Sequence, residues 1–350
     1  MHYLIPRLVA LFSLAIAAVT PAFGQQKLRV VATLPTYASI AQDITGDLAQ
    51  VEAIARGDED PHFVNPRPSF AAMIQRADLL IVTGLDLELW LPALLDRANN
   101  PKVVEGAPGH VTAYAGITLL DVPENVSRAG GDIHVFGNPH ISTDPINGII
   151  IARNITDGLK RVDAAHAATY DANLKGFEDR VIRRLFGDRL ADMLGTDQLF
   201  ALARDDKFWD FARAQSFQGK PLTEYVGGWL AEGAPFRGQR MVCYHKNWAY
   251  FSHRFQIPCA MYVEAKPGIP PTPGHVADVI AFMTKEHIPV LFAANYFSHS
   301  QVERVASRTG AKAVIVPELV GGDEGVNDYF DLIERWVSSL AAAFGASPHP

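Results

Sequence analysis

The chain has 350 residues, a formal net charge of −7 and 48% hydrophobic residues. A chain of this length exceeds one ordinary hydrophobic core, so we expect two domains. The mildly acidic balance argues against a nucleic-acid-binding protein and favours a soluble, monomeric protein that tolerates cations.

The first 24 residues have the pattern of a secretory signal peptide. A single arginine, Arg7, precedes an apolar and small-residue run over 8–19, and Ala22-Phe23-Gly24 has the small residues of a cleavage site. This run is too short for a membrane-spanning helix, and no cysteine follows the cleavage site to carry a lipid anchor. We therefore expect a periplasmic protein without a lipid anchor, whose mature chain begins near Gln25.

Short apolar runs alternate with amphipathic runs in the first part of the chain. The predicted strands lie at 28–33, 51–55, 79–82 and 103–104. The predicted helices lie at 37–44, 70–76 and 87–98. Ser69 is the expected N-cap of the second helix. This alternation predicts a parallel, doubly wound sheet, whose ligands lie beyond the carboxyl ends of the strands.

A long helical region follows Pro145. Apolar residues recur at three- and four-residue intervals over 149–161 and again over 163–185. We interpret 145–186 as one long helix that joins two lobes. The next stretch, 187–228, is helical with turns, and we interpret it as an insertion packed on the second lobe.

The alternation of strands and helices resumes after the insertion. The predicted strands lie at 240–244, 259–263, 289–293 and 313–316. The predicted helices lie at 248–255, 272–286, 298–309 and 329–344. The predicted fold is therefore α/β, with two parallel-sheet βα lobes and one long linker helix. The predicted divisions are a signal peptide at 1–24, an N-terminal lobe at 25–144, the linker at 145–186, the insertion at 187–228 and a C-terminal lobe at 229–350.

The two cysteines, Cys243 and Cys259, fall in successive predicted strands. An oxidising compartment permits a disulfide between them. A direct bridge between neighbouring parallel strands is geometrically awkward, so two buried free thiols are the alternative.

Three histidines lie at comparable points, each at the end of a strand or in a loop that leads into a helix. They are His62, His140 and His245. Each alone is compatible with an ordinary loop histidine, but three imidazoles at matching element ends favour one transition-metal site between the lobes. His134 competes with His140. We favour His140 because it stands just before Asp144, the expected N-cap of the linker helix, whereas glycines flank His134.

Several motifs resemble one family when they are taken in order. They are Asp60-Pro61-His62, Ala77-Asp78-Leu79 with Gly84 and Glu88-Leu89-Trp90, Gly137-Asn138-Pro139-His140, Asp144-Pro145, Tyr244-His245-Lys246 with Tyr250-Phe251, and the segment from Glu264 to Thr272. The set resembles the ZnuA-like and TroA-like periplasmic zinc- or manganese-binding receptors of ABC importers, the cluster A-I solute-binding proteins. The resemblance covers nearly all of the mature chain except 187–228. It implies two βα lobes with the metal between them.

The resemblance also implies a set of metal ligands. The three histidines take the positions of family ligands, and the fourth ligand is usually an acid on a loop after a late strand of the second lobe. One place where relatives often carry glutamate reads Phe292-Ala293-Ala294-Asn295 here, without an acid. Glu318 is therefore the first choice for the fourth ligand, with Asp323 or water as alternatives.

This ligand set favours Zn²⁺ as the bound cargo. Three imidazoles with one carboxylate or water suit zinc, whereas Mn²⁺ prefers more oxygen ligands. Manganese receptors of the family generally carry an acid at the position of His245, so manganese is the alternative. The resemblance implies a receptor, not an enzyme, that delivers its ion to the permease membrane subunit of an ABC importer. A periplasmic metallochaperone is a further candidate partner.

Two other functions stay open. A receptor of the same fold could carry manganese or a metal chelate, and the metal content of the purified protein would separate these cargoes from zinc. A zinc hydrolase would also use three protein ligands and an open coordination position. However, the chain has neither a His-Glu-x-x-His nor a Gly-x-Ser-x-Gly motif.

Overall fold

The computed structural model describes residues 27–123, 134–264 and 268–345. The predicted signal peptide lies outside these residues. Among the residues described, no helix is long and apolar enough to cross a membrane. The described residues form two four-stranded parallel sheets and one short antiparallel hairpin.

The first sheet belongs to the N-terminal lobe. Its strands are Leu28–Ala32 (β1), Ala49–Ala53 (β2), Leu79–Val82 (β3) and His110–Thr112 (β4). They are parallel and lie in the order β2-β1-β3-β4. Every residue of β3 is buried, as expected for an apolar strand inside a parallel sheet that is covered on both faces.

Three helices accompany this sheet. They are Pro35–Thr45 (α1), Pro68–Gln75 (α2) and Leu91–Ala98 (α3). Each has a proline in its first turn, where the missing N–H costs no hydrogen bond. Helix α2 therefore begins before Ser69, and the predicted N-cap is wrong because Arg67 occupies that position.

The predicted strand at 103–104 is also wrong. Val103 lies in a turn, where its N–H donates to Asn100 O at 3.3 Å, and its side chain is buried. The fourth strand is instead β4, which pairs with β3. A turn that buries one apolar side chain gives the same short hydrophobic pattern as a strand, so the pattern alone does not distinguish the two.

The predicted linker region 145–186 is divided into two helices, Pro145–Val162 (α4) and Ala167–Phe186 (α5). The helices are antiparallel, and Arg153 Nε of α4 lies 2.6 Å from Glu178 Oε1 of α5. The chain therefore folds back on itself beside the N-terminal lobe, where Val162, Asp163 and His166 line one cavity together with Leu28 at the start of β1.

The turn between α4 and α5 is centred on Asp163. Its carboxylate accepts hydrogen bonds from His166 Nδ1 at 2.7 Å and from Tyr170 OH at 2.6 Å. A short polar side chain that bonds to nearby groups in this way competes with helix continuation. No glycine or proline marks the turn, so the helical periodicity on either side of it reads as continuous.

Helix α5 is the long helix that joins the two lobes. Its 20 residues span about 30 Å. On the N-terminal lobe, Asn173 Nδ2 donates to Ile44 O of α1 at 2.9 Å. On the other side, the ring of Phe177 packs against Tyr329 and Phe330.

The predicted insertion is helical. It contains Asp188–Leu194 (α6), Thr196–Arg204 (α7), Phe208–Ala214 (α8) and the hairpin strands Ser216–Phe217 (β5) and Lys220–Pro221 (β6). Helix Gly228–Glu232 (α9) begins at its last residue. The ring of Phe208 lies 4.5 Å from that of Phe186 at the end of α5. The insertion is therefore packed on the linker through aromatic contacts.

The second sheet belongs to the C-terminal lobe. Its strands are Met241–Cys243 (β7), Cys259–Tyr262 (β8), Val290–Ala294 (β9) and Lys312–Val316 (β10). They are parallel and lie in the order β10-β9-β7-β8. The accompanying helices are Ala249–Phe255 (α10), Pro273–Lys285 (α11), His299–Thr309 (α12) and Tyr329–Ala343 (α13).

The two cysteines form a disulfide between β7 and β8, with their Cα atoms 5.5 Å apart. Cys259 lies opposite Met241 rather than Cys243, and the pairing is irregular between Met241 and Cys243. The bridge therefore runs obliquely between the two strands. This register removes the geometric objection to a direct cross-strand bridge.

In one contact between the lobes, glycine backbones meet directly. Gly57 lies in the loop after β2, and Gly321 and Gly322 lie in the loop after β10. A Cβ atom at Gly57 would be 2.3 Å from backbone atoms of both other glycines. No side chain fits between these loops.

Candidate metal centre

Four histidines converge between the two lobes. They are His62, His134, His140 and His245, and one ring nitrogen from each lies within 4.8 Å of the others. Three of the four were predicted from the sequence to share a site. The sequence favours His140 over the fourth, His134, yet the fold brings both to the same place.

The position of His62 is fixed by the loop that follows β2. Asp60 Oδ1 accepts from the backbone N–H of His62 at 3.0 Å and lies 2.8 Å from its Nδ1. Trp90 Nε1 donates to Pro61 O at 2.9 Å. The carboxylate on Nδ1 turns Nε2 of the same ring towards the other histidines.

His140 lies in the loop before α4 and is 3% exposed. Its backbone N–H donates to Asn138 Oδ1 at 3.0 Å, and its Nδ1 lies 2.8 Å from Glu318 Oε1. Asp144 accepts from Ile146 N at 2.9 Å, so its predicted role as the N-cap of the helix is confirmed.

The start of α4 is also tied to the C-terminal lobe. Arg254 of α10 donates from Nε and Nη2 to the Asp144 carboxylate, at distances from 2.8 to 3.1 Å. Its Nη1 donates to Ala203 O of the insertion at 2.9 Å. The loop that carries His140 is therefore held from both the second lobe and the insertion.

His245 follows β7 and is 1% exposed. Its Nδ1 lies 3.3 Å from Glu264 Oε1 without a hydrogen bond of good geometry, and its Nε2 has no partner among the described residues. Burial lowers the pKa of His245, with a further contribution from the neighbouring His140. The ring is therefore neutral at pH 7 and can donate a lone pair to a metal.

His134 faces His62 across the accessible side of the cluster. Their rings stack with centroids 5.1 Å apart, and their Nε2 atoms are 3.1 Å apart. Burial and the three other histidines lower the pKa of His134 to about 2. This imidazole is therefore also neutral. The sequence signal that could have identified it is its position six residues before His140, on the same loop.

The two acids predicted as fourth ligands lie elsewhere. Glu318 stands behind His140, and its Oε2 accepts from Asn247 Nδ2 at 2.6 Å and from the hydroxyl of Tyr296. Burial raises the pKa of Glu318, but the His140 ring, the Tyr296 hydroxyl and His62 together lower it, and the net pKa is about 2. Asp323 is half exposed and pairs with Arg335. Neither carboxylate belongs to the group of four nitrogens.

The four nitrogens suit a tetrahedral metal ion. The Nε2 atoms of His140 and His245 are buried and lack a hydrogen-bond partner in the part of the chain that the structure describes. An unpartnered buried acceptor costs free energy, and a bound cation removes that cost. Nitrogens bound to tetrahedral Zn²⁺ lie about 3.3 Å from each other. The 3.1 Å between His62 and His134 is close to one edge of such a tetrahedron.

The sequence model of a family described as "Zinc-uptake complex component A periplasmic" matches residues 30–184 and 213–343. The protein belongs to this family. The iron-binding protein YfeA of Yersinia pestis is 27% identical over 336 residues, covering 95% of this chain and 91% of YfeA. The high-affinity zinc uptake system protein ZnuA of Paracoccus denitrificans is 25% identical over 361 residues, covering 91% and 92%. A crystal structure of ZnuA superposes with a TM-score of 0.65 at 19% identity, covering 91% of this chain and all of that one.

Family membership confirms the predicted resemblance and the two-lobed α/β fold. The protein is a metal-binding receptor of an ABC importer, and such receptors work outside the cytoplasm with membrane permease and ATPase components. Residues 185–212 lie outside the family match and fall largely within the predicted insertion. The two named relatives differ in their metal, so the family does not by itself select the ion.

Proposed function

We propose that this protein is a periplasmic zinc receptor that binds one Zn²⁺ between its lobes through His62, His134, His140 and His245. The observation that carries the proposal is the convergence of four ring nitrogens within 4.8 Å. The bound ion is the cargo, which the receptor, acting as a monomer, delivers to the permease membrane subunit of its importer. A periplasmic metallochaperone is a candidate source of that cargo.

The donor chemistry supports zinc over manganese. All four candidate ligands are imidazoles, and imidazole suits Zn²⁺, whereas Mn²⁺ is usually held by carboxylates, carbonyls and water. The carboxylate that could supply an oxygen, Glu318, has both oxygens engaged by other groups. A manganese ion here would therefore lack the oxygen ligands it prefers.

The arrangement around the cluster also supports a binding site. Asp60 lies against Nδ1 of His62, and Glu318 lies against Nδ1 of His140. Carboxylates in this position orient metal-binding histidines and raise their basicity. They also fix the tautomer in which Nε2 is free to bind.

The experiment that tests the proposal is a metal measurement on the mature protein. We expect about one zinc per chain by mass spectrometry, and we expect manganese in large excess not to displace it. The His62→Ala variant should lose about 100-fold or more in zinc affinity, because one of four ligands to an ion bound with about 10–16 kcal/mol is removed.

A matched control is His166→Ala, since His166 also pairs through Nδ1 with an aspartate but lies in the turn between α4 and α5. This variant should bind zinc as the wild type does. Wild-type protein that binds manganese more tightly than zinc, or a His62→Ala variant with unchanged zinc affinity, would contradict the proposal.

A further inference from the structure

We propose that Glu318 is a positioning residue, which sets the tautomer and orientation in which His140 offers Nε2 to the metal. The inference rests on the proposed function, because it concerns the same four-histidine centre. It assigns Glu318 a role different from the direct ligand that the sequence predicts.

The contact between Glu318 and His140 carries the first step. Glu318 Oε1 lies 2.8 Å from His140 Nδ1, and both residues are almost excluded from solvent. A carboxylate accepts, so Nδ1 carries the proton and Nε2 of the same ring carries the lone pair. That Nε2 atom is buried and has no hydrogen-bond partner among the described residues.

The second oxygen of Glu318 is equally occupied. Oε2 accepts from Asn247 Nδ2 at 2.6 Å and from the Tyr296 hydroxyl, which itself lies 2.6 Å from Asn247 Nδ2. The donors come from three separate places, namely the loop before α4, the turn after β7 and the loop after β9. Any movement of the Glu318 carboxylate towards the four histidines would break at least one of these bonds.

The same network connects two of the candidate ligands. Asn247 lies two residues after His245, and Glu318 joins Asn247 to His140. The carboxylate thus holds His140 against the segment that carries His245. Ligands that are already in place lose less conformational freedom on binding, so the affinity is higher.

The test is the substitution Glu318→Gln, which keeps the size of the side chain. The glutamine carbonyl is a weaker acceptor, and its amide can instead donate to His140 Nδ1, which moves the ring proton to Nε2. We expect zinc affinity to fall about 10- to 100-fold. Nitrogen-15 NMR of the metal-free protein should show Nδ1-protonated His140 in the wild type and a mixture of tautomers in the variant.

A second variant keeps the carboxylate and loosens it. Tyr296→Phe removes one of the three donors, so we expect a loss of about threefold in zinc affinity and a smaller change of tautomer. This variant tests the proposal even if Glu318→Gln does not fold.

The matched controls are Glu178→Gln, which removes the charge that pairs with Arg153, and Tyr170→Phe, which removes a hydroxyl bonded to Asp163. Both controls should bind zinc normally.

Three results would overturn the inference. In the first, the visible spectra of the cobalt-substituted wild type and Glu318→Gln variant differ by the loss of an oxygen ligand, while the His140 tautomer is unchanged. That result would make Glu318 a metal ligand. Another is unchanged zinc affinity and tautomer in Glu318→Gln. The third is a Tyr296→Phe variant identical to Tyr170→Phe in both measurements. A wild-type protein that binds no transition metal would instead overturn the proposed function itself.

Discussion

The centre consists of two unlike pairs of histidines. The buried pair, His140 and His245, is 3% and 1% exposed and has unpartnered Nε2 atoms. The outer pair, His62 and His134, is partly exposed, and its two Nε2 atoms face each other at 3.1 Å. Within the buried pair, His140 Nδ1 lies against Glu318 of the C-terminal lobe, and His245 follows β7 of the same lobe. The outer pair comes from loops on the N-terminal side. We infer that the buried pair contributes most of the metal affinity and that the outer pair governs entry and release of the ion.

Substitution in the buried pair should have the largest effect on metal binding. We expect His140→Ala and His245→Ala each to weaken zinc binding by about 4 kcal/mol, roughly a thousandfold, because a water that replaces either ring is held in a closed, desolvated place. Competition with a chelator of known affinity measures the change. If either variant lost no more zinc affinity than His134→Ala does, the buried pair would not contribute more affinity than the outer pair.

The disulfide should stabilise the lobe that holds the buried pair. It closes a loop of 16 residues between β7, which precedes His245, and β8. We expect the double substitution Cys243→Ser and Cys259→Ser to lower the free energy of unfolding by about 3 kcal/mol. Urea denaturation of the metal-free protein measures this loss. An unfolding free energy equal to that of the wild type would show that the bridge adds nothing to the lobe.

Loss of His134 should have a smaller effect, concentrated in the rate of release. We expect His134→Ala to weaken zinc binding about tenfold, near 1.4 kcal/mol, because water can take its place on the accessible side. Stopped-flow chelation should show that faster dissociation accounts for most of the change. Unchanged dissociation together with slower association would assign His134 to capture instead.

The smallest predicted effect concerns pH. The folded-state pKa of His134 is about 2, against an ordinary value near 6.5, so the unfolded chain binds a proton that the folded chain does not. Stability therefore falls as the pH drops below 6.5, by about 1 kcal/mol for this residue between pH 6.5 and 5.5. Urea denaturation of metal-free protein should show a wild-type loss that exceeds the His134→Ala loss by that amount. Equal losses would contradict it.

The same contrast explains what the sequence could predict of the site. His245 directly follows β7, and His140 lies at the end of its loop, close to the start of α4, so their nearness to regular elements located them in the sequence. His134 lies in a loop whose path depends on tertiary contacts. Its glycine neighbours were used to reject it, although backbone freedom does not prevent a ring from being held by its neighbours in space.

The fold was predictable where hydrophobic pattern and element type agree. The alternation of strands and helices predicted both sheets, since every strand of a covered parallel sheet needs an apolar run. The pattern failed at Val103, where a turn buries one apolar side chain. It also failed to show the turn at Asp163, because that turn is made by side-chain hydrogen bonds and not by glycine or proline.

Glu318 shows a further limit of sequence reasoning. The family resemblance located an acid at the right place in the chain but could not specify which atom it contacts. Three hydrogen-bond donors from separate loops engage both of its oxygens, and only the folded chain brings those donors together.

The contact of Gly57 with Gly321 and Gly322 has a consequence for the spacing of the two lobes. The two backbones meet here without an intervening side chain, so their separation at this point is set by the thickness of the peptide chain itself. A single methyl group at position 57 would lie 2.3 Å from the facing backbone atoms. We therefore expect any substitution of Gly57 to move the two loops apart, and the hydrogen atom at this position to be what allows the lobes to approach so closely.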